Sequence, residues 1–308
     1  MPLGSLLRRL AALPVSLLAV TTAVFVMMRI LPGDPVVAML VEAGASPSVI
    51  QEWQERYRLL DPLPVQYWHF LLATARGDLG RSISYGRPVL RVIGDHFSST
   101  VELAFASFGV ATVVGGTLGV LSARYRGSPI DVATRLMAVG SASLPTYWTG
   151  IMAILLFAAE LRWLPSGGEG SWQHLLLPSL TLGIASAGVI ARLVRASLLE
   201  VGAQAYVQVA RAKGLQQWAI LRRHVLRAAA APIVTLLGLQ VGFLLAGTAI
   251  TETVFSRRGI GRLLVEGITS KDYPLVQGCM LLVALVYVLA NAVGDAVAAS
   301  LDPRARER

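Results

Sequence analysis

Six apolar runs punctuate the chain at about 10–28, 100–123, 136–159, 175–191, 228–250 and 275–299, each within or near the length range of a membrane-crossing helix, roughly 17–25 residues. No other feature limits the fold as sharply. A segment inside hydrocarbon has no water to satisfy its amides and carbonyls, and a helix satisfies them within itself. The expected fold class is therefore an all-α polytopic membrane protein with six transmembrane helices. Composition agrees, since 55% of the 308 residues are hydrophobic and only 15% are charged, far more apolar than a soluble domain of this length requires.

The connections between the runs differ in kind. Arg8 and Arg9 precede the first run as they would in a signal peptide, but the run is longer than a signal core and ends in Arg29-Ile30-Leu31-Pro32-Gly33-Asp34-Pro35, a sharp turn and a poor cleavage site. Residues 1–31 are read as a cytoplasmic N-terminus with an uncleaved first span. Residues 32–99 are charged and broken by proline and glycine, with amphipathic pieces at Pro47–Leu60 and Val65–Thr74. That is too long for an ordinary connection and predicts a small structured extracytoplasmic region. Residues 100–300 form a five-helix core, interrupted by a basic loop at 192–227, and 301–308 form a tail.

Charge sets the orientation. With both termini inside, the cytoplasmic segments carry a net charge of about +11 and the outer segments about −1, Asp295 in the last span completing the total, the asymmetry expected of a protein held by the positive-inside tendency. The overall +9 does not point to nucleic acid, because the basic residues are spread over short loops and form no patch or stripe. Cys279 is the only cysteine, which rules out an internal disulfide and a cysteine metal cluster. The four histidines, His69, His96, His174 and His224, have no zinc-binding spacing. No phosphate-binding loop is present, and neither of the two lysines, Lys213 and Lys271, completes one. Any ATP that drives this protein is bound by another chain.

The loop 192–227 holds the most informative stretch. Tyr206-Val207-Gln208-Val209-Ala210-Arg211-Ala212-Lys213-Gly214-Leu215 predicts a short helix ended by a glycine with a positive backbone angle. Leu215, Trp218, Leu221 and Val225 then recur at helical spacing, predicting a second short helix whose apolar side packs on the body of the protein. His224 and Pro232 follow, the proline expected to open the next span.

Ala210-Arg211-Ala212-Lys213-Gly214-Leu215, with His224 and Pro232 beyond it, resembles the coupling loop of binding-protein-dependent ABC importer permeases, in the version found in the dipeptide/oligopeptide/nickel family. The resemblance runs nearly end to end. It takes in Leu31-Pro32-Gly33-Asp34-Pro35, Leu60-Asp61-Pro62-Leu63-Pro64-Val65-Gln66-Tyr67, Gly77-Asp78-Leu79-Gly80-Arg81-Ser82, Ser143-Leu144-Pro145-Thr146-Tyr147-Trp148-Thr149-Gly150, Leu177-Pro178-Ser179-Leu180-Thr181-Leu182-Gly183 and Leu301-Asp302-Pro303-Arg304. Members commonly have Pro-Gly where this chain has Arg258-Gly259.

The resemblance implies a type I ABC importer permease fold in a bacterial inner membrane and a B-type permease subunit that is not itself an enzyme. Its implied partners are a second permease subunit, expected to be a different chain although the residues leave a homodimer equally open, two ATPase subunits that hold ATP and magnesium, an extracytoplasmic substrate-binding protein and membrane lipid. Tyr206, Ala210, Arg211, Ala212, Lys213, Gly214, Leu215, His224 and Pro232 would couple to an ATPase. Ser143, Pro145, Thr146, Tyr147 and Trp148 would line the path, because proline and polar side chains inside a span face a cavity or a bundle interior, whereas Pro178 reads as a packing kink. Glu252, Phe255, Gly259 and Gly261 fall in an external loop that contacts the binding protein or seals the outer gate, Glu252 being equally consistent with a solvated loop charge. Di- and oligopeptides are the expected cargo, with nickel chelates and oligosaccharides as alternatives within the family. An ion-coupled carrier is disfavoured because Asp295 is the one candidate ionisable group in a span, and its place near the cytoplasmic end suits a headgroup pair. The glycines Gly115, Gly116 and Gly119 allow another helix to approach closely, in this chain or a partner.

Overall fold

A computed structural model describes residues 3–30, 37, 41, 44–56, 58 and 60–301. Among these, all named elements are helical, apart from one isolated antiparallel bridge between Arg81 and Pro88. In order they are α1 (Leu3–Ile30), α2 (Pro47–Arg56), α3 (Leu63–Ala75), α4 (Val89–Arg124), α5 (Pro129–Ser143) and α6 (Thr146–Ala153), which continues as a π-helix over Ile154–Glu160. Then come α7 (Gln173–Gly202), α8 (Ala205–Ala212) and α9 (Gln217–Ile220), which passes through a π turn at Leu221–Val225 into α10 (Leu226–Val254), followed by α11 (Ile260–Thr269) and α12 (Tyr273–Leu301).

Four helical stretches among the described residues are long and apolar enough to cross a membrane: Val89–Arg124, Gln173–Gly202, Gln217–Leu245 and Tyr273–Gly294. These correspond to the second, fourth, fifth and sixth expected runs. The first expected run lies on α1, with Pro14–Met27 as its described apolar stretch. The third differs from expectation. Instead of one kinked span, α5 and α6 are separate helices that meet at 103°. Proline accounts for the break, because Leu144 before it is pushed into an extended conformation (φ −86, ψ 129), and Pro145, with no amide hydrogen to give, starts the next helix as its cap. Pro178, by contrast, stays inside a continuous α7 and is buried.

The basic loop is also shorter than its composition suggests. α7 runs on through Arg192 and Arg195 to Gly202, and the second short helix is the start of the next span, since α9 passes without a break into α10. Pro232 therefore lies within α10 and does not open it.

α7 forms the centre of the bundle, with α4 and α5 against it. Two of the glycines singled out in the sequence, Gly115 and Gly119, are the reason α4 lies so close. A Cβ on Gly115 would sit 2.5 Å from the Ala187 carbonyl oxygen, and one on Gly119 would sit 2.7 Å from Val194 Cβ, so any larger residue would push the helices apart. The close neighbour of Gly115 and Gly119 thus belongs to this chain, whereas a Cβ on Gly116 would meet nothing within 4 Å. Two buried clusters hold the ends of the bundle. At one end Leu198, Val201, Val207, Ala210, Ile220 and Val225 gather, and at the other Val89, Val92, Ile260, Leu263, Leu275 and Cys279. Cys279 is fully buried as a packing residue. The motifs at 31–35 and 302–304 lie outside the described residues, as does the side chain of Asp295.

Candidate functional site

At the α8 end, α7 finishes at Gly202 and a turn through Ala203 and Gln204 reverses the chain, with the Gln204 amide donating to the Val201 carbonyl at 3.1 Å. α8 then lies across the end of the bundle. Its inner side chains, Val207 and Ala210, are buried against Leu198, Val201 and Ile220, which fixes the rotation of the helix. Its end is closed by a Schellman motif: the Leu215 amide donates to the Ala210 carbonyl at 3.3 Å and the Gly214 amide to the Arg211 carbonyl at 3.0 Å. This geometry requires the left-handed backbone that Gly214 adopts at φ +75.

The outer side of the same unit is open. Tyr206, Val209, Leu215 and Trp218 are exposed, Trp218 by 63%, and Arg211, Ala212 and Lys213 are exposed beside them. Leu215 and Trp218 were expected on the packed side and are not there. The second helix begins only at Gln217, so Leu215 precedes it and Trp218 in its first turn faces outward, while Ile220 and Val225 supply the buried contacts. His224 is half-buried in the π turn. Behind the unit lies a cavity of about 520 Å³ lined by Arg124, Arg126, Gln208, Arg211 and Gln217 together with apolar side chains. The result is a short rigid helix with an apolar, cationic rim on a surface that this chain leaves uncovered, a form suited to sitting in a groove of another protein.

The candidate path residues come together at the break between α5 and α6. Ser143 Oγ donates to the Val139 carbonyl of its own helix at 2.9 Å. Pro145 caps α6 and Thr146 opens it, and Tyr147 and Trp148 are turned out of this chain, 51% and 45% exposed. Gly150 anchors the inner side of α6 against Phe255, Val254 and Thr181.

At the opposite end the structure bears on one of the two roles expected for Glu252, Phe255, Gly259 and Gly261, the surface contact and not the outer gate. All four are buried, so they form no loop surface for a delivery protein, and Glu252 is not a solvated charge. Its carboxylate accepts from Thr100 Oγ1 at 2.7 Å, the Gly261 amide at 2.8 Å and the Arg262 amide at 3.1 Å, while Thr100 Oγ1 accepts from the Ile260 amide at 2.8 Å. The first amides of α11, which have no partner inside the helix, are thereby satisfied and face a negative group. Gly259 has its Cα against this carboxylate, where a Cβ would collide. Phe255 packs beneath and its carbonyl accepts from the Gly168 amide at 2.8 Å.

Two polar clusters were not singled out in the sequence. Beside Glu252, Glu169 accepts from Ser99 Oγ at 2.6 Å and from the Arg258 amide at 2.7 Å, and the buried Arg257 donates to the same Ser99. Burial pulls the Glu169 carboxyl upward, but those hydrogen bonds and the charges of Arg257 and Arg258 hold it below the usual carboxylate range. At the α8 end, Asp131 is 1% exposed. It accepts from Ser122 Oγ at 2.5 Å, the Gly127 amide at 3.0 Å and the Arg195 guanidinium twice, at 2.8 and 3.0 Å. An acid placed alone in a strongly basic stretch was the available signal. Among the described residues no group of His, Cys, Asp and Glu is arranged to hold a metal.

Comparison with known proteins bears on this geometry. Residues 115–307 match the family described as binding-protein-dependent transport system inner membrane component, and residues 3–104 match the N-terminal part described for the membrane component of the same systems. The glutathione transport system permease protein GsiC of Escherichia coli is 39% identical over 304 residues, covering 99% of each chain. Its counterpart in Pectobacterium atrosepticum has the same identity and coverage. Among solved structures, an inward-facing conformation of the MetNI methionine ABC transporter superposes with a TM-score of 0.57 at 21% identity, over 69% of this chain and 97% of that one. A crystal structure of an amino acid ABC transporter with histidines gives 0.51 at 15%, over 71% and 95%.

Proposed function

The chain belongs to the binding-protein-dependent transport system inner membrane component family and is a permease subunit of an ABC importer, and from that premise we propose that its cargo is di- and oligopeptides, that it forms half of their path, and that it receives the ATP-driven stroke through α8. It is a multi-pass inner-membrane protein and not a catalytic enzyme. In this reading both termini are cytoplasmic, which places α8 on the side where ATP is, and ATP with its magnesium is held by two separate ATPase subunits. A second, non-identical permease completes the path and an extracytoplasmic binding protein delivers the peptide.

The observation that carries the coupling role is the two-sidedness of α8. Val207 and Ala210 are buried in the bundle, so the helix moves with it, while Tyr206, Val209, Leu215 and Trp218 form an uncovered rim. A docked helix that is stiffly joined to its bundle transmits a rigid-body movement and does not absorb it. Peptide as cargo is supported by the end-to-end similarity to permeases named for glutathione, a tripeptide. The outward-turned Tyr147 and Trp148 at the α5–α6 break suit a path shared with a second subunit, since this chain does not enclose them.

Purification of the tagged chain from its host in mild detergent, with mass spectrometry of the proteins retained, tests the reading. Recovery of ATPase subunits, a second permease and a binding protein with peptide bound is the expected result. A chain recovered alone, or only with copies of itself, would remove the coupling role.

A further inference from the structure

Resting on the importer reading, we propose that the pair formed by the buried Asp131 and the half-buried Arg195 locks α4, α5 and α7 into one lever, so that movement of α8 reaches α6 through the hinge at Leu144-Pro145. Asp131 is the point where these elements meet. It stands in the first turn of α5 and accepts from Ser122 on α4, from Gly127 in the turn between α4 and α5, and from both arms of Arg195 on α7. Arg135, one turn further along α5, lies 3.6 Å from the same carboxylate. A two-pronged guanidinium–carboxylate contact fixes direction as well as distance, which a single point charge does not.

Sterics remove the remaining slack. A Cβ on Gly188 of α7 would lie 2.7 Å from the Ala138 carbonyl oxygen of α5 and would collide with Ser141, and Gly119 of α4 meets Val194 of α7 in the same way. Neither neighbour can slide past α7 without losing contact along its length. α7 then leads within two residues into α8. At its far end α5 stops at Ser143, and the chain resumes as α6 at Thr146 after a bend of 103°. Helical hydrogen bonding is interrupted there, because Pro145 donates nothing. The Leu144 amide reaches back to Gly140 and the Trp148 amide reaches only to Pro145. Displacement carried along α5 reaches α6 at this break, and α6, packed through Gly150 against Thr181 of α7, carries Tyr147 and Trp148 with it.

A simpler role for Asp131 is helix capping, since an acid in a first turn faces the positive end of the helix. Capping needs no partner on α7. The two roles therefore separate at Arg195, where a lysine keeps the charge and gives up the two-pronged contact.

The test uses the complete transporter reconstituted with its binding protein, with Arg195→Lys and Asp131→Asn each compared with wild type for assembly, ATP hydrolysis and peptide moved per ATP. The ratio of peptide to ATP is the deciding readout, because a merely structural pair lowers the amount of assembled complex and leaves that ratio alone. For assembled Arg195→Lys the expected result is continued ATP hydrolysis with about a fivefold or greater fall in peptide per ATP, the scale of a typical coupling energy. An unchanged ratio in assembled Arg195→Lys overturns the proposal, and so does loss of assembly in both variants, which would make the pair structural only. If Asp131→Asn alone fails to assemble, Arg195→Lys decides. Absence of ATP-driven peptide uptake by the wild type would instead refute the importer reading on which the proposal rests.

Discussion

Replacing Gly214 separates backbone strain from side-chain contact unusually cleanly. A Cβ at this position meets nothing within 4 Å, yet the residue sits at φ +75, so a substitution is felt only through the left-handed conformation. For an ordinary L residue that conformation costs roughly 1–2 kcal/mol. Asparagine tolerates it best and a β-branched residue worst. The two hydrogen bonds that close α8, from Gly214 to Arg211 and from Leu215 to Ala210, contribute about 0.5–1.5 kcal/mol each. Alanine is therefore opposed by about one hydrogen bond's worth of strain, and valine by enough to open the turn. Since every 1.4 kcal/mol is tenfold in population, ATP-driven uptake in proteoliposomes should fall gently for Gly214→Asn, several-fold for Gly214→Ala and by about tenfold or more for Gly214→Val. Assembly should persist in all three, because Val207 and Ala210 still anchor α8. Valine transporting like wild type, or asparagine as impaired as valine, would refute the reasoning.

Two further pairs of substitutions probe the opposite rim and the packing. Glu252→Gln keeps the shape but weakens the acceptor facing the Gly261 and Arg262 amides, and should cost about 1–3 kcal/mol, read as a lower unfolding temperature in detergent; Glu252→Ala should cost more, and an unchanged temperature would show that the cap is not needed. Gly119→Leu cannot fit beneath Val194 and should lower the yield of folded protein sharply, whereas Gly116→Leu, which meets nothing within 4 Å, should be recovered near wild-type level.

Local chemistry was readable in the sequence and distant chemistry was not. The short helix ending at Gly214 was visible because a Schellman end needs only neighbouring residues and a glycine. The approach allowed by Gly115 and Gly119 was visible too, but not its partner, because the spacing of small residues does not say which helix arrives. The burial of Glu252 was not readable because Thr100, which makes it tolerable, is 152 residues away. Leu215 and Trp218 shared a helical period with Val225, and the period could not reveal that the helix starts only at Gln217. Proline at 145 announced a disturbance in the span, but whether a proline bends a helix or ends it depends on the packing on either side. Here α5 is held to α7 near Gly188 and α6 is held at Gly150, and the chain breaks between the two anchors.

The central claim, that α8 is the surface on which an ATPase docks, is tested most directly with a single introduced thiol. Cys279 is fully buried and Val209 is 53% exposed, so Val209→Cys offers the one accessible cysteine among the described residues. In the assembled transporter this thiol should be shielded from a maleimide and should be captured by a short bifunctional cross-linker onto an ATPase subunit. A thiol at 209 that labels equally in the isolated chain and in the assembled transporter, with no ATPase captured, would contradict the account.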